Sequence, residues 1–196
     1  MGHAHGKHGN PEEVDSYIAR MEEPERAEWQ KPEEVLRALK LAPGQVACDI
    51  GAGPGYFALR MARTASHVFA VDVEPRILQA LQKRVAKSGL RNVTPVLGLD
   101  DDPLVPEHAC DLIAIVNTYH HFPEGPAYLR RLVRSLKPGG RIANLDFHPR
   151  ELPVGPPVAH KIARDDFLRD ARAAGLELAE EHDFLPYQYF LVLRPR

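Results

Sequence analysis

Gly51, Gly53 and Gly55 stand where an apolar run of strand length, Val46 to Ile50, empties into a helix-compatible run, and Asp72 closes the next apolar run. Glycine admits positive φ and carries no Cβ, so a ligand can come close to the backbone of such a turn. The helix after it offers N–H groups that no intrahelical carbonyl takes. A carboxylate that ends the following strand, at that distance from the glycines, suits the two hydroxyls of a ribose. These residues together describe a site for a nucleotide-type cofactor. Their spacing separates cofactor families: a dinucleotide fingerprint needs G-x-G-x-x-G, whereas this chain reads G-x-G-x-G with Tyr56 in the third glycine's place. That counts against a nicotinamide oxidoreductase.

A second group with chemical potential follows the fourth apolar run. Tyr119, His120 and His121 come directly after Cys110 to Val116, and Asp146 and His148 lie at the end of the fifth. Imidazole is the side chain whose ordinary pKa suits proton transfer near neutrality. Neighbouring residues in a turn point in different directions, so one of the two histidines, at most, faces a substrate. Tyr119, His120 and His121 are the candidate catalytic residues, and Asp146 serves either as a base or as a bond to a strand-end amide.

Asp49-Ile50-Gly51-Ala52-Gly53-Pro54-Gly55, then Asp72, then Leu136-Lys137-Pro138-Gly139-Gly140 resemble, in order and in spacing, the motifs of class I S-adenosylmethionine-dependent methyltransferases. The similarity runs from about Val35 to the C-terminus. It implies S-adenosylmethionine as cofactor, S-adenosylhomocysteine as product, and a cofactor site made of Asp49, Gly51, Ala52, Gly53, Gly55, Asp72, Val73, Asp100 and Asn117. By that resemblance the glycines admit the methionine portion, Asp49 orients its ammonium, Asp72 takes the ribose hydroxyls, and Val73 meets the adenine face. Asn117 meets the amino-acid end through its carbonyl. Many members carry Gly-Asp in the loop after strand three; here Gly98-Leu99 stands there, so the acid for the adenine amine is Asp100 or Asp101, and Asp100 is chosen.

The elements that must position these residues follow from periodicity. Strands are expected at Val46 to Ile50, His67 to Val73, Val93 to Leu97, Cys110 to Val116, Arg141 to Phe147, Leu176 to Asp183 and Tyr187 to Leu193. Helices are expected at Pro11 to Arg26, around Val35 to Leu39, at Tyr56 to Arg63, Pro75 to Lys87, Gly125 to Leu136 and Arg164 to Ala174. Apolar runs alternating with helices predict an α/β fold. The resemblance makes it a doubly wound, mostly parallel seven-stranded sheet of order 3-2-1-4-5-7-6, its last strand antiparallel, in a three-layer αβα sandwich. Residues 1–10 read as a disordered His/Gly tail, 11–44 as a helical lid that includes Trp29, and 45–196 as the methyltransferase domain.

Composition narrows the partners. The chain has 196 residues, 44% apolar and 27% charged, with a formal net charge of -2, so it carries no global attraction to nucleic acid or anionic membrane. No run reaches membrane-span length and no secretory h-region opens the chain, which predicts a cytoplasmic protein. Cys48 and Cys110 each fall inside an apolar strand without a CxxC, so they read as reduced core thiols and no metal site is expected. The reading is an enzyme moving a methyl group to a small-molecule acceptor, with no nucleic-acid or membrane partner and with a homodimer compatible. The rival of another class is a non-catalytic cofactor- or metal-sensing protein on the same fold, with His3, His5 and His8 as its metal tail.

Overall fold

The computed structural model describes residues 14–21 and 23–196. The tail reading, with its metal-binding histidines, lies outside the described residues. Helices α1 (Val14–Met21), α2 (Arg26–Gln30) and α3 (Pro32–Leu39) precede β1 (Val46–Ile50), α4 (Ala58–Met61), β2 (His67–Asp72), α5 (Pro75–Ser88) and β3 (Val93–Leu97). Then come β4 (Cys110–Val116), α6 (Gly125–Ser135), β5 (Leu136–Phe147), α7 (Arg164–Ala173), β6 (Leu176–His182) and β7 (Gln188–Pro195).

The sheet has the expected order, β3-β2-β1-β4-β5-β7-β6. Pairings β2/β3, β1/β2, β1/β4 and β4/β5 are parallel, and β7 runs antiparallel between β5 and β6. Five parallel strands therefore end on one edge, and β7 begins on that same edge because Gln188 pairs with Phe147. The order reverses between β1 and β4, and an open α/β sheet binds its ligands outside such a switch point.

Alternation within the strands builds two cores. Leu112, Ala114 and Val116 of β4 face a cluster with Val35, Leu39, Met61 and Leu81 from α3, α4 and α5. Ile113 and Ile115 face Leu129, Leu132 and Phe167 from α6 and α7. Both faces of β4 are covered, which is why its sequence reads as an unbroken apolar run. Cys48 and Cys110 are both free and buried in the second cluster, and burial pushes the Cys48 thiol up.

Helix boundaries follow local chemistry. Glu74 caps α5 by accepting from the Arg76 N–H at 3.1 Å, Pro75 occupies the first turn where its missing N–H costs nothing, and Gly89 ends the helix at φ 73°. Three boundaries differ from expectation. In the N-terminal region a short helix, α2 (Arg26–Gln30), stands between the two expected ones, where the Trp29 segment reads as a connection. Helix α4 covers only Ala58–Met61, since residues 53–57 continue the glycine turn instead of coiling. Strand β5 starts at Leu136: Cys110 pairs with Leu136, then the register slips, and the Pro-Gly-Gly corner is absorbed as an irregularity within the strand, with Gly139 at φ 78°.

Candidate functional site

The turn after β1 carries Gly51, Gly53 and Gly55 at φ 70°, 56° and 92°, the left-handed region open to glycine. It is roofed by the protein itself. A Cβ on Gly53 would meet Met21 Cε of α1 at 2.6 Å, and a Cβ on Gly51 would collide with the Thr118 side chain. The bare bend expected from the sequence is thus covered, by an unbranched thioether suited to an irregular gap. The cradle over Gly53 can still be opened by rotating that one side chain, while the Thr118 contact ties the exit of β4 to the turn.

Asp72 faces the turn. Its Oδ2 accepts from the Gly53 N–H at 2.9 Å and its Oδ1 from the Glu74 N–H at 3.0 Å. Burial raises its pKa, and the N–H groups of Glu74, Gly53 and Val73 oppose that shift. A carboxylate has about four lone-pair sites, so beside these N–H donors it keeps capacity for a ribose hydroxyl. Val73 beside it is 41% exposed, an open apolar surface next to the acid.

Asp49, on β1, is buried, and burial pushes its carboxyl up to about 7 against the opposing pull of the Ala58 backbone N–H and the Arg26 charge. Tyr56, directly after the turn, is buried with a hydroxyl that has no partner among the described residues. Arg26 and Arg60 place their guanidinium carbons 3.9 and 4.0 Å from the Tyr56 ring centroid. An acid, a backbone cradle and an orphaned hydroxyl around one turn fit the polar ends of S-adenosylmethionine.

Asn117 sits at φ 55°, and its Oδ1 accepts from Gln188 Nε2. The chain of amides continues from Gln188 Oε1 to Gln30 Nε2 at 3.3 Å, and from Gln30 Oε1 to Arg26 Nε. In the loop after β3, Asp101 and Asp102 hold Arg131 of α6 at 3.3 and 2.6 Å, and Asp102 also caps the Leu104 N–H. Asp100 is exposed and makes no ion pair among the described residues.

The 3-10 turn Tyr119–His121 sends its three side chains apart. Tyr119 is a correction: it is fully buried against Phe167 and Phe122, and its hydroxyl donates to Asp170 Oδ2 of α7 at 2.8 Å. It is a core residue between α6 and α7 and cannot reach a substrate. His120 is 5% exposed, and its Nδ1 lies 3.1 and 3.0 Å from the two oxygens of the buried Asp146. His121 is exposed, its ring centroid 4.2 Å from that of His120. Trp29 packs between Phe147 and Tyr187, with centroids 5.7 and 6.3 Å away, which anchors α2 to the sheet edge. Burial and Arg150 lower the pKa of His148. Among the described residues no cluster of three His, Cys, Asp or Glu could hold a metal, and no helix is long and apolar enough to cross a membrane.

Two features were missed in the sequence: Arg26 and the Gln30–Gln188 link. A glutamine opening the apolar run QYFLVL was a visible signal for the second; nothing marked Arg26 except its place four residues before Gln30.

Sheet order, glycine turn and strand-end acid define a class: the nucleotide-binding α/β fold of S-adenosylmethionine-dependent methyltransferases. Residues 47–140 match the model of the methyltransferase domain family. A methyltransferase structure from Aquifex aeolicus, described as S-adenosylmethionine dependent, superposes with a TM-score of 0.86 at 25% identity, over 91% of this chain and 96% of that one. The demethylmenaquinone methyltransferase of Tropheryma whipplei is 32% identical over 125 residues, 63% of this chain and 50% of the relative. A ubiquinone biosynthesis O-methyltransferase of Xanthomonas euvesicatoria is 27% identical over 165 residues, 76% of this chain and 69% of the relative. Relatives named for tRNA and protein methylation also match. The chain spans about half the length of the demethylmenaquinone methyltransferases it matches. The chain carries a methyltransferase-domain match over residues 47–140 and has the fold of a structure described as an S-adenosylmethionine-dependent methyltransferase.

Proposed function

We propose that this chain transfers the methyl group of S-adenosylmethionine to a nucleophilic atom of a small organic acceptor, with His120 taking the acceptor's proton. The sulfonium supplies a methyl already attached to a good leaving group. The protein's part is alignment, which is worth several kcal/mol in comparable intramolecular reactions, about 7–11 at the most favourable.

The observation that carries this reading is the pair His120 and Asp146, 3.0 Å apart and buried at the ends of β4 and β5. A carboxylate on Nδ1 fixes the ring orientation and stabilises the imidazolium formed when Nε2 accepts a proton. Thr118, two residues earlier, touches the glycine turn, so the base and the cofactor cradle share one strand exit. Asp72, Asp49, the three glycines, Val73, Asp100 and Asn117 make up the cofactor side, and α1 to α3 act as its lid.

A roof of α1 over the turn, with Trp29 wedged on Phe147 and Tyr187, favours an acceptor small enough to pass beneath it. The quinone-pathway names of two relatives accord with a flat, phenol-like acceptor. Transfer of labelled methyl from S-adenosylmethionine to a panel of phenols, quinols and small amines tests the reading. Turnover with one of them, lost in His120→Ala, is expected; labelling of tRNA or protein alone would replace it.

A further inference from the structure

We propose that the cleft between α3 and the α4 segment is a second binding site, for a small organic phosphate, separate from the glycine turn. It does not depend on the methyl-transfer reading.

The cleft has a volume of about 370 Å³. Its walls follow from helical spacing. Glu33, Leu36, Arg37 and Lys40 recur at i, i+3, i+4 and i+7 and so line one face of α3 and its C-cap. Arg60, Arg63 and Thr64 repeat i, i+3 and i+4 along α4 and the turn after it. Lys40 and Leu41 lead into β1, and Arg63 and Thr64 into β2, so the cleft sits toward the edge where the strands begin. Asp72 and His120 lie at the edge where they end.

Four cations thus line one small cavity in a chain whose formal net charge is -2. Glu33 is the one carboxylate in the lining. It stands 3.9 Å from Arg60 Nε with its side chain 71% exposed, too weak a pair to balance them. Glu180, at 2.8 Å, takes up Lys40. The exposed Arg37 and Arg63 make no ion pair or side-chain hydrogen bond among the described residues. The fold does not require this gathering, since Val35 and Leu39 of α3 and Ala58 and Met61 of α4 already close the first core. Like charges around a concave wall focus a positive potential into it.

The lining also selects the anion. A carboxylate brings one charge, whereas a phosphate monoester brings about two and three strong acceptor oxygens, enough to meet guanidinium groups from both walls. Leu36 and Leu41, half-buried against the first core, offer an apolar strip to the ester's organic group. The volume is at the small end of ligand pockets, which run from about 300 to 1,000 Å³, and suits a metabolite-sized molecule better than a macromolecular segment. Arg60 is set in advance: Nη1 donates to the Tyr56 carbonyl at 2.6 Å, and the guanidinium carbon lies 4.0 Å from the Tyr56 ring centroid. Little of its freedom is lost when an anion arrives.

Calorimetry on the full chain with inorganic phosphate, phenyl phosphate and a short single-stranded RNA tests this, at constant ionic strength and with or without saturating S-adenosylhomocysteine. Saturable one-site binding of phenyl phosphate is expected, tighter than that of phosphate and unchanged within about twofold by S-adenosylhomocysteine. Arg37→Ala combined with Arg63→Ala should weaken it by about tenfold. Arg172→Ala, which removes an exposed charge on α7, should leave it within about twofold. Both altered cleft arginines are exposed, so the double variant should melt with the wild-type chain. No saturable binding of phenyl phosphate, or binding no tighter than that of phosphate, would overturn the proposal. So would its loss in S-adenosylhomocysteine, equal weakening by Arg172→Ala, indifference to the double substitution, or a preference for the RNA.

Discussion

Asp72 at the end of β2 accepts a hydrogen bond from the backbone N–H of Gly53, 2.9 Å away in the turn after β1, so acid and glycine turn are one bonded unit. Their separation in sequence is a strand, a turn and a short helix. The parallel register of β1 on β2, Ile50 beside Val71, closes that distance.

Gly53 has positive φ and Met21 across it. Gly53→Ala should lower stability by about 1 kcal/mol through backbone strain, because the Met21 methyl is the flexible end of a side chain and can give way. Cofactor affinity should fall as the cradle fills. Thermal unfolding and a binding isotherm on one preparation check both; an unchanged melting temperature would mean that the turn relaxes.

Asp49 carries a folded-state pKa raised by burial to about 7, above the ordinary carboxyl value near 4. The folded chain therefore holds a proton that the unfolded chain has released between those pH values, and this group's contribution to stability falls as pH rises from about 4 through about 7. Cofactor binding should run the other way. An ammonium needs the ionised acid, so affinity should rise about tenfold per pH unit well below 7 and level off above it. Asp49→Asn should flatten both profiles, measured by denaturant melts and calorimetry across pH 5 to 8, a range chosen as roughly centred on that pKa.

His120 and Asp146 are a buried pair at the strand exits. His120→Asn should reduce kcat by about 10²- to 10⁴-fold, with affinity for S-adenosylhomocysteine unchanged within about twofold. Asp146→Asn keeps an acceptor for the Phe147 N–H and removes the charge; it should shift the pH profile of kcat and leave cofactor affinity alone. Steady-state rates with any acceptor found in the panel check this, and a cofactor-binding defect in either variant would make the pair structural.

Tyr119 donates its hydroxyl to Asp170 inside the α6 and α7 packing. Tyr119→Phe should cost about 1 kcal/mol of stability for the lost bond and leave kcat untouched. A large fall in kcat would return it to the chemistry.

Much of this arrangement was legible beforehand, because parallel strands buried on both faces read as apolar runs and the glycine turn cannot be disguised. Strand β3 at Val93–Leu97 and β4 at Cys110–Val116 have the expected bounds. What was not legible depends on direction. Tyr119, His120 and His121 are neighbours in the chain, and only the 3-10 geometry sends one to the core, one to Asp146 and one to solvent. The roof over Gly53 was equally hidden: Met21 appears in the sequence as one more apolar residue on an amphipathic helix, and its partner lies three elements away. The loop acids show the same limit, since a run of three aspartates gives no sign that Arg131 claims two of them.

The account depends on a ribose held between Asp72 and the turn, and titration of S-adenosylhomocysteine into wild-type and Asp72→Ala protein tests that most directly. Saturable binding to wild-type, weakened by at least about tenfold in the variant, is the predicted result. Equal affinity in the two, or no binding to a folded wild-type chain, would contradict it.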